Sequence, residues 1–184
     1  MIFFTLTKLK ERLEEIFEGQ NNYKRLEYDE TTKENIYQRL PPEIFLFDNL
    51  ISYKESKMPY ICIEGNSRQC VDVTKIDVTL RIVTKNDGIL SWKYDEFGNK
   101  LNEHEFEPDD TACFLDVISI SEKIQMELLK KSPLPIEPND GVLIQSKFIK
   151  EDFTGNGIAC MELYFTLVAP NYARGTRRTA EFVL

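Results

Sequence analysis

The chain of 184 residues has one histidine, His104, and one tryptophan, Trp92. A single imidazole leaves few routes to metal ligation or general-base chemistry, two tasks in which histidine is the commonest side chain. The four cysteines, Cys62, Cys70, Cys113 and Cys160, include no CxxC pair, and none stands beside His104. Zinc ligands usually come in closely spaced pairs, so this scatter argues against structural zinc. Cys113 and Cys160 fall inside apolar periodic segments and read as buried reduced thiols. Long hydrophobic runs are also missing. No stretch approaches the roughly 20 apolar residues that span a bilayer. The opening MIFFTLTKLKERLEE turns charged by Lys8, which is not the order of a secretory signal; cytoplasmic synthesis is expected. Positive charge is scarce, with 23 Lys+Arg against 31 Asp+Glu and a net charge of −8. Surfaces that grip nucleic acid or anionic membranes need clustered cations, so neither is the expected main partner.

What is present is a core-forming composition. Hydrophobic residues make up 42% of the chain, too many for global disorder, and the length fits one domain over residues 1–184. Leu6, Leu9, Leu13, Ile16 and Phe17 share one helical face, with Lys8, Glu11, Arg12, Glu15 and Glu18 opposite and Gly19 at the C′ position, which predicts an amphipathic helix. Residues 20–57 lose clear period and read as an irregular arm or loop. Within them residues 43–47 form a candidate strand and residues 32–40 a candidate short helix, and the segment is either functional or a surface meander. Pro59 opens a strand over residues 60–64, and Gly65-Asn66-Ser67 supplies turn chemistry. Residues 71–84 predict a long strand with Ile76, Val78, Leu80 and Ile82 on one face and Lys75, Asp77, Thr79 and Arg81 on the other, one face dry and one wet as in an antiparallel sheet. The wet face either lines a lumen or meets solvent.

Residues 89–108 place Trp92, Tyr94 and Phe97 before Gly98-Asn99, and Leu101 and Phe106 after it. That pattern predicts a projecting β-hairpin, whose aromatics are costly to expose unless they meet a partner or the core. Asp109-Asp110 then suit the N-terminus of a second helix with Phe114, Val117, Ile118, Ile124 and Leu128 as its stripe, closed by Lys130-Lys131 and broken by Pro133 and Pro135. Strands follow over residues 142–150 and 158–169, joined through Gly155-Asn156-Gly157; a strand after these glycines favours a hairpin loop over a phosphate loop. The terminal arm, residues 171–184, carries Arg174, Arg177 and Arg178 and then Phe182 and Leu184. It has no core period and either frays or docks, with an acidic patch on a neighbouring subunit as the favoured target.

The fold class is therefore α+β: a mainly antiparallel sheet of about four core strands packed by two amphipathic helices, with a projecting β-hairpin and a terminal arm. No catalytic residue, metal ligand or cofactor site is assigned. His104 lies in an extended acidic run whose neighbours alternate sides, and Cys–His catalysis would require folding to bring a cysteine to it. The interface candidates are Trp92, Tyr94, Phe97, Leu101 and Phe106 on the hairpin and Arg174, Arg177, Arg178, Phe182 and Leu184 on the arm.

The opening helix LTKLKERLEEIF, the segments MPYICIEG and VDVTKIDVTLRIVTKNDG, the helix TACFLDVISISEKIQMELL and the closing GIACMELYFTLVAPNY together resemble the tail terminator and tail-completion proteins of bacteriophages and phage-tail-like bacteriocins. The resemblance implies a subunit of a homo-oligomeric, hexameric ring on the end of a completed tail tube. Such a ring stops tube polymerisation and meets the head connector, and in contractile systems it holds the last sheath disc. It implies no catalytic residues, no cofactor, no membrane partner, and DNA at most passing through a lumen, in a particle assembled in the bacterial cytoplasm. Two alternatives stand beside it: another head–tail connector or tube component, and a small-molecule enzyme or binding domain using Cys62, Cys70 and His104.

Overall fold

A computed structural model describes residues 2–20, 23–29, 34–46, 58–70, 72–85, 89–107, 110–149 and 158–170. Helix α1, Ile2–Phe17, is followed by strands β1 (Tyr23–Asp29), β2 (Glu34–Leu40), β3 (Glu43–Leu46), β4 (Tyr60–Gln69), β5 (Val73–Lys85), β6 (Ile89–Tyr94) and β7 (Lys100–Glu107). Helix α2, Asp110–Lys130, then leads to β8 (Ile136–Glu137), β9 (Gln145–Ile149) and β10 (Ile158–Pro170). The main sheet has six strands in the order β3-β4-β5-β10-β8, with β9 also paired to β10. All of its pairings are antiparallel except β3 with β4. The α+β architecture read from the sequence is the one observed.

The core lies between the two helices and one face of this sheet. Leu6, Leu9, Leu13, Ile16 and Phe17 of α1 are buried, as are Cys113, Val117, Ile120, Ile124 and Leu128 of α2. They meet Ile61 and Ile63 of β4, the alternate residues Ile76, Val78, Leu80 and Ile82 of β5, and Met161, Leu163, Phe165 and Leu167 of β10. Period 3.6 on the helices and period 2 on the strands thus converge on one apolar layer. Thr84 ties the end of β5 to the start of α2 by donating its hydroxyl hydrogen to the Cys113 carbonyl at 2.8 Å. Arg12 donates to the Lys131 carbonyl at 3.2 Å, joining α1 to the end of α2. Gly19 adopts φ 70° just past α1, the left-handed C′ geometry expected there.

The structure departs from the sequence pattern at several places. Residues 20–57 are not irregular throughout: β1 and β2 pair as an antiparallel hairpin with Leu26 opposite Tyr37, and β3 joins the main sheet. The segment over residues 32–40 yields strand β2 instead of a short helix. A run as short as NIYQRL fits either period, and its Ile and Tyr favour a pleated partner. Residues 47–57 lie outside the described residues. Gly65-Asn66-Ser67 is not a turn, because β4 continues through Gln69; the reversal comes where the Cys70 amide donates to the Val73 carbonyl at 2.8 Å. Gly65 serves packing: a Cβ there would sit 3.0 and 3.2 Å from the two Leu6 methyls, so the missing side chain lets α1 approach β4. The strand expected over residues 142–150 begins only at Gln145. Asp140 and Gly141, at φ 50° and 81°, form a two-residue turn in which Asn139 and Val142 exchange backbone hydrogen bonds of 2.8 and 2.9 Å. Asp-Gly is the pairing such mirror-image turns favour. The six strands exceed the expected four through β3 and the two-residue β8.

Candidate interaction surfaces

Of the interface candidates on residues 89–108, Trp92 and Tyr94 lie on β6, Leu101 and Phe106 on β7, and Phe97 between the two strands. β6 and β7 pair antiparallel, with Leu90 opposite Phe106 and Trp92 opposite His104, and the register shifts between Trp92 and Tyr94. They form a two-stranded sheet of their own. The turn is built on Asp95, whose carboxylate accepts the amides of Phe97 at 2.9 Å and Asn99 at 2.7 Å. Gly98 takes φ 81°. Hydrogen bonds from the Asn99 side chain and then from backbone amides hold the Asp95 carboxyl below its ordinary range. At the tip Phe97 is 82% exposed, and Leu101 is also exposed. Arg174, Arg177, Arg178, Phe182 and Leu184 lie outside the described residues, as do Pro108 and Asp109.

The three residues of the alternative chemistry are not brought into one cleft. Cys62 is buried on the face of the sheet away from the helices, among Met58, Tyr60, Val83 and Cys160. Cys70 follows the far end of the same strand and is exposed. Eight residues of extended chain at about 3.3 Å each separate them by roughly 26 Å. His104 sits in the separate hairpin. Among the described residues, no group of three His, Cys, Asp or Glu side chains is placed to hold a metal ion.

The sheet face away from the helices carries a cross-strand polar ladder. The register aligns Arg81 with Glu162, Thr79 with Tyr164 and Asp77 with Thr166, with Glu64 and Asn66 of β4 beyond them. Arg81 meets Glu162 Oε1 through Nε at 3.0 Å and through Nη2 at 3.0 Å. Tyr164 donates its hydroxyl to the other Glu162 oxygen. Glu162 is only 8% exposed, a burial this carboxylate can sustain because both oxygens have partners. Burial first, and then the bond to Glu162, pushes the Tyr164 phenol up to about 12. Asp77 accepts from Arg68 at 2.8 Å and from Thr166 at 2.7 Å. Burial acts to raise its carboxyl, but the bonds from Arg68 and Thr166 outweigh it and hold the group below the usual range. Lys75 pairs with Glu137 at 2.6 Å. A groove of about 200 Å³ runs beside the ladder, lined by Asp77, Thr79, Tyr164, Thr166 and the turn residues Asn139 and Leu143. At neutral pH this face is a fixed array of compensated charges and hydrogen bonds.

A phenol whose folded pKa is raised favours the folded state fully below its unfolded value near 10, and loses that contribution as pH rises towards 12. Two units correspond to about 2–3 kcal/mol. Denaturant midpoints at pH 8 and pH 11 should fall less for Tyr164→Phe than for the wild type; equal falls would mean that Tyr164 is not the titrating contributor.

The periodicity of the sequence put Lys75, Asp77, Thr79, Arg81, Glu162, Tyr164 and Thr166 on wet faces, but not the pairs they make, which depend on strand order and register. It also passed over apolar residues that the helices leave exposed: Phe3 and Phe4 on α1, and Leu115, Met126 and Leu129 on α2. These stand off the buried stripes, and that offset is the signal by which they could have been found.

No protein-family model matches the chain, and no curated protein matches it significantly.

Proposed function

We propose that the chain is a structural subunit of a phage tail or tail-like particle, forming a ring that caps the end of the tail tube, stops its polymerisation and joins it to sheath or head connector. The observation that carries this reading is the arrangement of surfaces. Two helices close one face of an antiparallel sheet while the other face keeps an ordered, charge-compensated ladder, and a separate hairpin carries an exposed Phe97 at its tip. The segments on which the resemblance rests lie on α1, β4, β5, α2 and β10. A ring needs a heterologous contact whose rotation closes, and the hairpin and the basic C-terminal arm are the elements offered to it. A ladder with its cations already paired would give a lumen surface with little attraction for a passing polyanion, since binding DNA requires cations available to displace counterions. Its partners in this reading are copies of itself, the tube protein, and sheath or connector proteins, within a particle assembled in the bacterial cytoplasm.

Native mass spectrometry of the full chain tests the reading. A discrete closed oligomer, six copies by the resemblance, is expected across a range of concentrations; a stable monomer that binds neither tube nor sheath would count against it.

A further inference from the structure

We infer that the outer edge of β3, with the groove between it and α1, receives the C-terminal arm, residues 174–184, of a second copy of this chain. The inference rests on the ring reading above and names the contact that would close the ring. Among the described residues, β3 pairs with β4 and with no other strand. The Glu43 amide donates to the Pro59 carbonyl at 3.0 Å. By strand alternation, Glu43 and Phe45 therefore turn their backbone groups towards β4, and Ile44 and Leu46 turn theirs away from it. An edge of this kind is a template for one more strand.

The groove beside that edge has the room and the chemistry for an extended segment. Two adjoining hollows of about 670 and 570 Å³ share Glu14, Pro41, Pro42 and Ile44. Their floor is apolar, with Leu46 at one end and Phe17 at the other. Among the described residues, their charged lining is Glu11, Glu14, Glu15, Glu18 and Glu43 against Lys10. Glu11, Glu14 and Glu15 have ion-pair neighbours along α1, but exposed helix pairs of this kind hold weakly and exchange readily. The arm matches both features in order: Arg174, Arg177 and Arg178 for the glutamates, then Glu181-Phe182-Val183-Leu184 with β-forming apolar residues for the floor. Geometry favours a second copy over the same chain. β10 ends at Pro170 opposite Val73, whereas β3 lies beside residues 60–63 at the other end of β4. The last described residue of β10 and the β3 edge thus lie at opposite corners of the sheet, a placement that suits a head-to-tail contact between copies.

A reciprocal charge swap on the full chain tests this, read by native mass spectrometry and sedimentation velocity. One variant carries Arg174→Glu, Arg177→Glu and Arg178→Glu; the other carries Glu11→Lys, Glu14→Lys and Glu18→Lys. Each alone should associate about tenfold more weakly than the wild type or worse, and an equimolar mixture should regain the oligomer because each arm then meets an oppositely charged groove. Leu46→Pro, which removes an outward amide and a leucine of the groove floor at an edge position where proline is tolerated, should weaken association independently of the charge swap. Circular dichroism and thermal unfolding of each variant confirm that the fold is kept. Variants that assemble as well as the wild type, a mixture that stays dissociated, or an arm that docks within its own chain would overturn the inference and leave the ring reading standing. A wild-type chain that is monomeric throughout would overturn both.

Discussion

Leu80→Ala is expected to lower stability by about 2–5 kcal/mol. Leu80 lies at the centre of β5, the strand between β4 and β10, and is fully buried. The register sets it between Ile63 and Leu163, both also fully buried, and α2 packs across β5 and β10. Truncation removes the transfer free energy of the lost carbons and leaves a cavity that neighbours on both strands and the helix layer cannot close without breaking register. Domains of this kind are stable by about 5–15 kcal/mol, so the variant should lose a large share and unfold roughly 10 °C earlier. Leu115→Ala provides the contrast, because Leu115 is 61% exposed on α2 and should change stability by no more than about 0.5 kcal/mol. Urea denaturation of the two variants with the wild type checks both values. Equal effects would mean that the core does not lie between the helices and the β5–β10 pair.

Arg81→Leu is expected to cost about 2–4 kcal/mol, more than its position on a half-wet sheet face would suggest. The guanidinium holds Glu162 through two contacts of 3.0 Å, and its Nη1 lies 3.8 Å from Glu64. Among the described residues, removing Arg81 leaves Glu162, which is nearly buried, with the Tyr164 hydroxyl as its remaining hydrogen-bond donor. The loss therefore comes chiefly from the carboxylate left behind. The double variant Arg81→Leu/Glu162→Leu should recover most of it, because an apolar pair of similar size leaves no uncompensated charge in the sheet. Chemical denaturation of the two single variants and the double variant completes the cycle. A double variant no better than the sum of the singles would show that the pair is not coupled.

The features legible in the sequence are those that depend on one element at a time. The α1 stripe from Leu6 to Phe17, the alternation of Ile76, Val78, Leu80 and Ile82, and that of Met161, Leu163, Phe165 and Leu167 are each a single period, and all are buried as the period demands. What could not be read needed a second element. The candidate strand over residues 43–47 was read from its own residues and is β3, but its seat in the main sheet depends on β4 lying parallel beside it, and β8 is two residues long with no period to detect. Gly65 looked like a turn residue because its neighbours Asn66 and Ser67 are turn formers, and only the approach of Leu6 explains it as a packing position. The Arg81–Glu162–Tyr164 cluster was visible as polar residues on two strands, but their contact is set by the β5–β10 register. For the candidate surfaces, the hairpin was legible from its aromatics and its Gly98-Asn99 turn. The acidic groove at the β3 edge was not, since it joins side chains of α1 to a strand about 30 residues later in the chain.

We propose that this fold works as one segment of a closed ring. Negative-stain electron microscopy of the purified full-length chain tests it most directly: particles of uniform diameter with a central opening are expected, and a field of particles no larger than a single 184-residue chain at all concentrations would contradict it.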